Sequence, residues 1–268
     1  MIFGLKGGRW LRPGLLRLCR PAAMGPSLDP RRGSLVLPAG GRPPKQLVVF
    51  LHGVNGRGDA WAWLADVWRK YLPDAAFAFP DGIEPSRAGP DLFQWWELRS
   101  LDARHLQEGA RRASPRFQRF LQQVQDALAI APEATIVGGF SQGAMLALHA
   151  GERSSPRLAG ILACCGAVAG LPHHPAKVRS RPPVFLYHGT RDQIVPFAAF
   201  DTGRSRLLAL GFEVAAYRAE GVDHTIDVPG AESAGKLMQR WLARGRPDVA
   251  NDAALRHAPL SAVRGQRP

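Results

Sequence analysis

Short apolar runs alternate with helical stripes along most of the chain, separated by turn-forming residues. Leu47-Val48-Val49-Phe50-Leu51 is apolar without alternation, the pattern of a strand covered on both faces. Residues 75–79, 135–137, 158–165, 183–187 and 213–217 read as further strands, and within the Pro-, Gly- and Arg-rich stretch 24–45 only residues 34–37 can pair, as an edge strand. Between them, Trp61, Leu64, Ala65, Trp68, Tyr71 and Leu72 fall at helical spacing behind Asp59 as N-cap. Phe117, Phe120, Leu121, Val124 and Leu128 form a second stripe, with Ser114-Pro115 as its cap and first residue. Further helices are expected over 142–153, over 197–210, and on Ala234, Leu237, Met238, Trp241 and Leu242. Strands alternating with helices over about 200 residues predict an α/β fold: one mostly parallel sheet with helices on both faces, as a single domain over 31–245. In such sheets the ligand site lies at the carboxyl ends of the strands.

At one of those ends the pattern becomes chemistry. Thr135-Ile136-Val137 runs into Gly139-Phe140-Ser141-Gln142-Gly143, which fits G-x-S-x-G, a sharp strand-to-helix turn with a serine at its apex. The flanking glycines remove Cβ atoms where the chain reverses, and Gly143, Ala144 and Ala147 let the following helix lie close to the sheet. A serine hydroxyl needs a base, and the base needs an acid to fix its tautomer. Asp192 occupies the turn after the 183–187 strand, and His224 follows the 213–217 strand, giving the chain order Ser141, Asp192, His224.

Competitors fit less well. His188 sits beside a glycine turn as a packing or hydrogen-bonding residue, and His149 lies along the helix past the serine. His173, His174 and His257 fall in loop or tail, and Asp227 is a better rival acid than Asp223. The backbone N–H groups of Gln142 and of Val54, which follows His52-Gly53, are the expected oxyanion donors. Residues 80–113 lack clear periodicity. Their aromatics, Trp95 and Trp96 foremost, are expected either to staple this loop to the core or to line a substrate pocket, and the pair is carried as candidate substrate-binding residues.

Charge narrows the partners. The net +13 divides into +8 over residues 1–45, +2 over 46–243 and +3 over 244–268, so the body is nearly neutral. That is not the distribution of a nucleic-acid module. Residues 1–30 are read as a disordered basic leader, with Met24 as the functional start, and 246–268 as a disordered tail. Cys164 and Cys165 sit in an apolar run as small core residues, Cys19 stands apart, and the three make no disulfide framework. No apolar stretch is long enough to span a membrane, which suits a cytoplasmic location. Nothing has the spacing of a phosphate loop, dinucleotide fingerprint or metal cluster, so neither cofactor nor metal is expected.

Residues 47–53 (LVVFLHG), 138–148 (GGFSQGAMLAL) and 188–196 (HGTRDQIVP), with Asp223-His224-Thr225-Ile226, resemble the phospholipase/carboxylesterase family of α/β hydrolases, relatives of the acyl-protein thioesterases. The resemblance covers about 46–242. It implies an α/β-hydrolase fold and a cofactor-free serine esterase with Ser141, Asp192 and His224 as triad and Val54 and Gln142 as oxyanion donors. The substrate is then a small-molecule or lipid ester; thioester or lysophospholipid cleavage is the alternative, and a homodimer is compatible. The family usually carries glycine where this chain has Asn55. A non-catalytic binding protein that retains the fold is the remaining reading.

Overall fold

The computed structural model describes residues 33–169, 176 and 178–244. The expected leader and tail, Cys19, His173, His174 and His257 lie outside them. In chain order the elements are β1 (Gly33–Val36), β2 (Gln46–Leu51), α1 (Trp63–Trp68), β3 (Ala75–Pro80), β4 (Glu84–Pro85), β5 (Phe93–Gln94) and α2 (Ala103–Leu128). Then come β6 (Thr135–Phe140), α3 (Gln142–Gly151), β7 (Gly160–Cys164), β8 (Val184–Gly189), α4 (Ala198–Ala209), β9 (Val214–Ala219) and α5 (Val228–Arg244). Among the described residues, seven strands form one sheet in the order β1-β3-β2-β6-β7-β8-β9, parallel except for β1, which closes an edge antiparallel to β3. β4 and β5 form a small separate hairpin.

Strand residues alternate between two apolar layers. Leu47, Val49, Leu51, Val137, Ala163 and Leu186 pack with residues of α2, α3 and α4. Val48, Phe50, Ile136, Leu162, Phe185 and Tyr187 face the other way, onto α1 and α5. Both faces are therefore covered, which is why these strands read as unbroken apolar runs.

Strand order reverses between β2 and β6: the chain proceeds from β2 outward to β3, and from β6 outward to β7. A crevice opens at the carboxyl ends of two strands that diverge in this way. The His52 turn leaves β2 there and Ser141 leaves β6, with Leu51 paired to Gly139.

Three helix starts differ from expectation, and one of them is α5, which opens at Val228, ahead of the expected stripe at Ala234. α2 begins at Ala103, capped by Asp102, whose carboxylate accepts the His105 N–H at 2.8 Å. Ser114-Pro115 is thus interior, and Pro115 forgoes one helical hydrogen bond on the solvent side. The stripe does continue back through Ala113, Ala110 and Leu106, but small side chains carry it weakly. Asp59 opens a 3₁₀ turn over Asp59–Trp61, with no side-chain cap, and its carboxylate pairs with Arg57 instead.

Candidate active site

Ser141 holds φ 52° and ψ −115°, outside the regions open to L-residues at low energy. Three features hold it there. Its N–H donates to the Cys164 carbonyl at 2.8 Å, and its carbonyl accepts from Ala144 at 3.1 Å as α3 begins. A Cβ on Gly139 would lie 2.3 Å from the Gly143 carbonyl carbon, and one on Gly143 would lie 2.3 Å from the Leu51 carbonyl oxygen. Helix and sheet therefore meet at backbone distance, and glycine at both positions is a steric requirement.

His224 and Asp192 come together as the chain order suggested: His224 Nδ1 stands 2.7 Å from Asp192 Oδ2. The carboxylate is fully buried. Its Oδ1 accepts the N–H groups of Ile194 and Val195, both at 2.9 Å, which fixes its orientation. His188 Nε2 lies 3.1 Å from Oδ2 and 2.8 Å from the Val195 carbonyl. Both neighbours are acceptors, so that nitrogen carries the proton. The rival acid Asp227 is engaged elsewhere, accepting the Tyr187 hydroxyl at 3.0 Å and capping the Gly230 N–H at 2.9 Å. Burial, with Asp227 adding to it, pushes the Tyr187 hydroxyl up from its ordinary value, so it stays a donor. Asp223 is exposed and pairs with Arg191.

The imidazole of His224 packs against Phe140, ring centroids 4.6 Å apart, and so lies beside the residue that precedes Ser141. Cys165, at φ 51°, closes the cluster from below; its thiol donates to the Thr225 carbonyl at 3.4 Å. Both Cys164 and Cys165 are buried, as their apolar context implied. Among the described residues, Cys165, Asp192 and His224 are the grouping with metal-ligand chemistry, their donor atoms within 4.8 Å of one another. Burial pushes the Cys165 thiol up to about 12, and the Asp192 oxygens are already taken by N–H donors, so the trio fits a hydrogen-bonded cluster better than a metal site.

The turn after β2 lies against the serine: a Cβ on Gly53 would come 3.3 Å from Ser141 Cβ. Asn55 takes φ 57°, a left-handed value that asparagine tolerates, and its Oδ1 accepts the Ser86 hydroxyl at 2.5 Å. Gly56 exchanges two backbone hydrogen bonds with Phe93, at 3.1 and 2.9 Å. Asn55 and Gly56 thus staple the turn to the segment of the β4–β5 hairpin.

The tryptophan pair is corrected. Trp95 and Trp96 are each 1% exposed and belong to the core, so they present no surface to a substrate. Trp96 lies across α2, where Gly109 leaves it room. Trp95 donates its indole N–H to the His52 carbonyl at 2.8 Å and its backbone N–H to Gln142 Oε1 at 2.9 Å, while Gln142 Nε2 donates to the Trp96 carbonyl at 2.8 Å. Sequence reasoning missed this use of the Gln142 side chain and the burial of His52; a polar residue straight after the serine and a histidine closing an apolar strand were the available signals.

Residues 33–242 match the family model described as Phospholipase/Carboxylesterase. The chain is 28% identical over 213 residues to acyl-protein thioesterase 1 of Gibberella zeae, covering 73% of this chain and 89% of that protein. It is 27% identical over 187 residues to esterase YpfH of Escherichia coli, covering 69% and 78%. The crystal structure of esterase PE8 superposes with a TM-score of 0.73 at 31% identity, covering 79% of this chain and 99% of that one. Family model, sheet topology and serine turn agree: the chain belongs to the phospholipase/carboxylesterase family of α/β hydrolases.

Proposed function

We propose that the protein is a serine carboxylesterase in which Ser141 attacks the ester carbonyl, His224 acts as base and then acid, and Asp192 orients His224. The 2.7 Å contact between His224 Nδ1 and the buried Asp192 carboxylate carries this reading. With Nδ1–H committed to Asp192, the other ring nitrogen is free to take the serine proton. Attack forms a tetrahedral oxyanion, which the N–H groups of Val54 and Gln142 would stabilise. Collapse expels the alcohol, protonated by His224, and leaves an acyl-Ser141. Water, deprotonated by the same ring, then releases the acid.

Support for the oxyanion donors is positional. Gln142 opens α3, where a helix N-terminus offers N–H groups and positive partial charge, and the Val54 turn abuts Ser141. A fluorophosphonate should label wild-type protein at Ser141 and leave Ser141→Ala unlabelled; a folded wild type that is not labelled would end the proposal.

Thioester hydrolysis on acylated proteins is the second reading, supported by the relative named acyl-protein thioesterase 1. Nitrophenyl esters of increasing acyl length, compared with an acyl-thioester peptide, separate the two. Among the described residues no helix is long and apolar enough to cross a membrane.

A further inference from the structure

His52 is fully buried and lies outside the triad, yet both of its ring nitrogens are used. The Gly82 N–H points at Nε2 from 2.8 Å, so Nε2 must accept. A neutral ring then carries its proton on Nδ1, which lies 2.6 Å from the Gly53 carbonyl oxygen and donates to it. Burial holds this imidazole below its ordinary value, which keeps the ring neutral. The tautomer is thus set by backbone groups on both sides.

The Gly53 carbonyl belongs to the same peptide plane as the Val54 N–H. In a trans peptide the two point in opposite directions. A carbonyl drawn onto His52 therefore aims the Val54 N–H away from the ring, on the turn that abuts Ser141. The backbone of His52 is held as well, since its own carbonyl accepts the Trp95 indole N–H at 2.8 Å. A Cβ on Gly56 would come 2.9 Å from His52 Nδ1, so the turn closes directly over the ring.

We propose that His52 is a positioning residue for the oxyanion site: its Nδ1–H grips the Gly53 carbonyl and so aims the Val54 N–H at the oxyanion. This rests on the esterase reading above. It adds that one of the two donors has a defined orientation only while the ring holds the Nδ1–H tautomer.

Two conservative substitutions separate positioning from simple packing. In His52→Asn the amide nitrogen stands where Nδ1 stood and keeps the donor to Gly53, while the acceptor for Gly82 is lost. In His52→Gln the amide oxygen stands where Nε2 stood and keeps the Gly82 bond, while the donor to Gly53 is lost. Each variant forfeits one buried hydrogen bond, so a packing role predicts equal effects. The expected result is kcat lowered about 100-fold in His52→Gln with KM within about threefold, and kcat within about fivefold of wild type in His52→Asn, since losing one oxyanion donor costs roughly 10²–10³ in kcat. A boronic acid that mimics the tetrahedral intermediate should lose affinity by a similar factor in His52→Gln alone. Equal kcat in the two variants, both folded, would overturn the proposal. Nitrogen NMR of histidine-labelled wild type needs no variant to fold: a ring protonated on Nδ1 with a hydrogen-bonded Gly53 carbonyl is expected, and protonation on Nε2 would overturn it. A wild type that turns over no ester and is unlabelled at Ser141 would instead sink the esterase reading.

Discussion

Asp192→Asn exchanges one carboxylate oxygen for an NH₂ group and leaves the shape of the side chain unchanged. The new amide can sit in two ways. With its oxygen in place of Oδ1 it still accepts from Ile194 and Val195, which now donate at 2.9 Å each, and its NH₂ faces His224 Nδ1 and His188 Nε2. Flipped, it would set NH₂ against the buried Val195 N–H and the partly buried Ile194 N–H, and stranding the buried one alone costs about 1–3 kcal/mol. The first arrangement wins. His188 can then give its proton wholly to the Val195 carbonyl, 2.8 Å away, but His224 has no acceptor left at Nδ1. His224 must move its proton to Nε2 to accept from the amide, and a ring protonated on Nε2 cannot deprotonate Ser141. Loss of the correct tautomer costs about 10⁴ in kcat in triads of this kind, or about 5.4 kcal/mol at 1.36 kcal/mol per decade. The assay is nitrophenyl ester hydrolysis under saturating substrate, with thermal unfolding as the check on folding. A folded variant that keeps more than about a tenth of wild-type kcat would refute the reasoning.

Other outcomes follow from the same geometry. Ser141→Gly should abolish turnover yet raise stability by about 1 kcal/mol in urea unfolding, because glycine takes φ 52° and ψ −115° without the strain of order 1–3 kcal/mol that a side chain incurs; unchanged or lower stability would contradict the strain. Gly143→Ala would bring a methyl 2.3 Å from the Leu51 carbonyl and 2.6 Å from that of His52, with no flexible side chain to yield, and should cost about 3 kcal/mol or prevent soluble expression. A wild-type melting temperature there would refute the close approach. The lowered value of His52 means that the unfolded chain takes up that proton first as pH falls below the ordinary 6.5. This contribution is complete above that pH and fades below it, by up to about 1.4 kcal/mol per pH unit, until the folded ring itself protonates. Urea unfolding at about pH 7.5 and 5.5 should show a smaller acid loss in His52→Asn than in wild type, and equal losses would exclude the buried ring as a source.

The triad candidates were legible because each lies just past the end of a strand, Ser141 at once and Asp192 and His224 after short connections, and a parallel sheet gathers such positions at one end. Ser141 also announced itself by glycines that the backbone contacts now require. The start of α2 was hidden because Leu106, Gly109, Ala110 and Ala113 are mostly small, and Ser114-Pro115 imitates a helix start. The first turns of α5 hid behind Pro229 and Gly230. Trp95 and Trp96 misled for another reason: an irregular segment rich in aromatics looks the same in sequence whether the rings face a cleft or the core. What decides it is Gln142, 46 residues or more away, whose amide receives that backbone, together with the space above Gly109. The role of His52 needed Gly82 as well, a residue from a different strand end.

Because Trp95 ties the His52 backbone to the Gln142 amide, laboratory evolution at this aromatic pair would yield enzymes that are slower on every ester by one common factor, with chain-length selectivity unmoved. Selectivity is a ratio between substrates, and a buried brace enters numerator and denominator alike. Variation that reshapes preference belongs on side chains reaching solvent past the carboxyl ends of the strands, such as Ile194, 60% exposed and two residues beyond Asp192. The chain thereby separates the residues that set its speed from those that can change its diet.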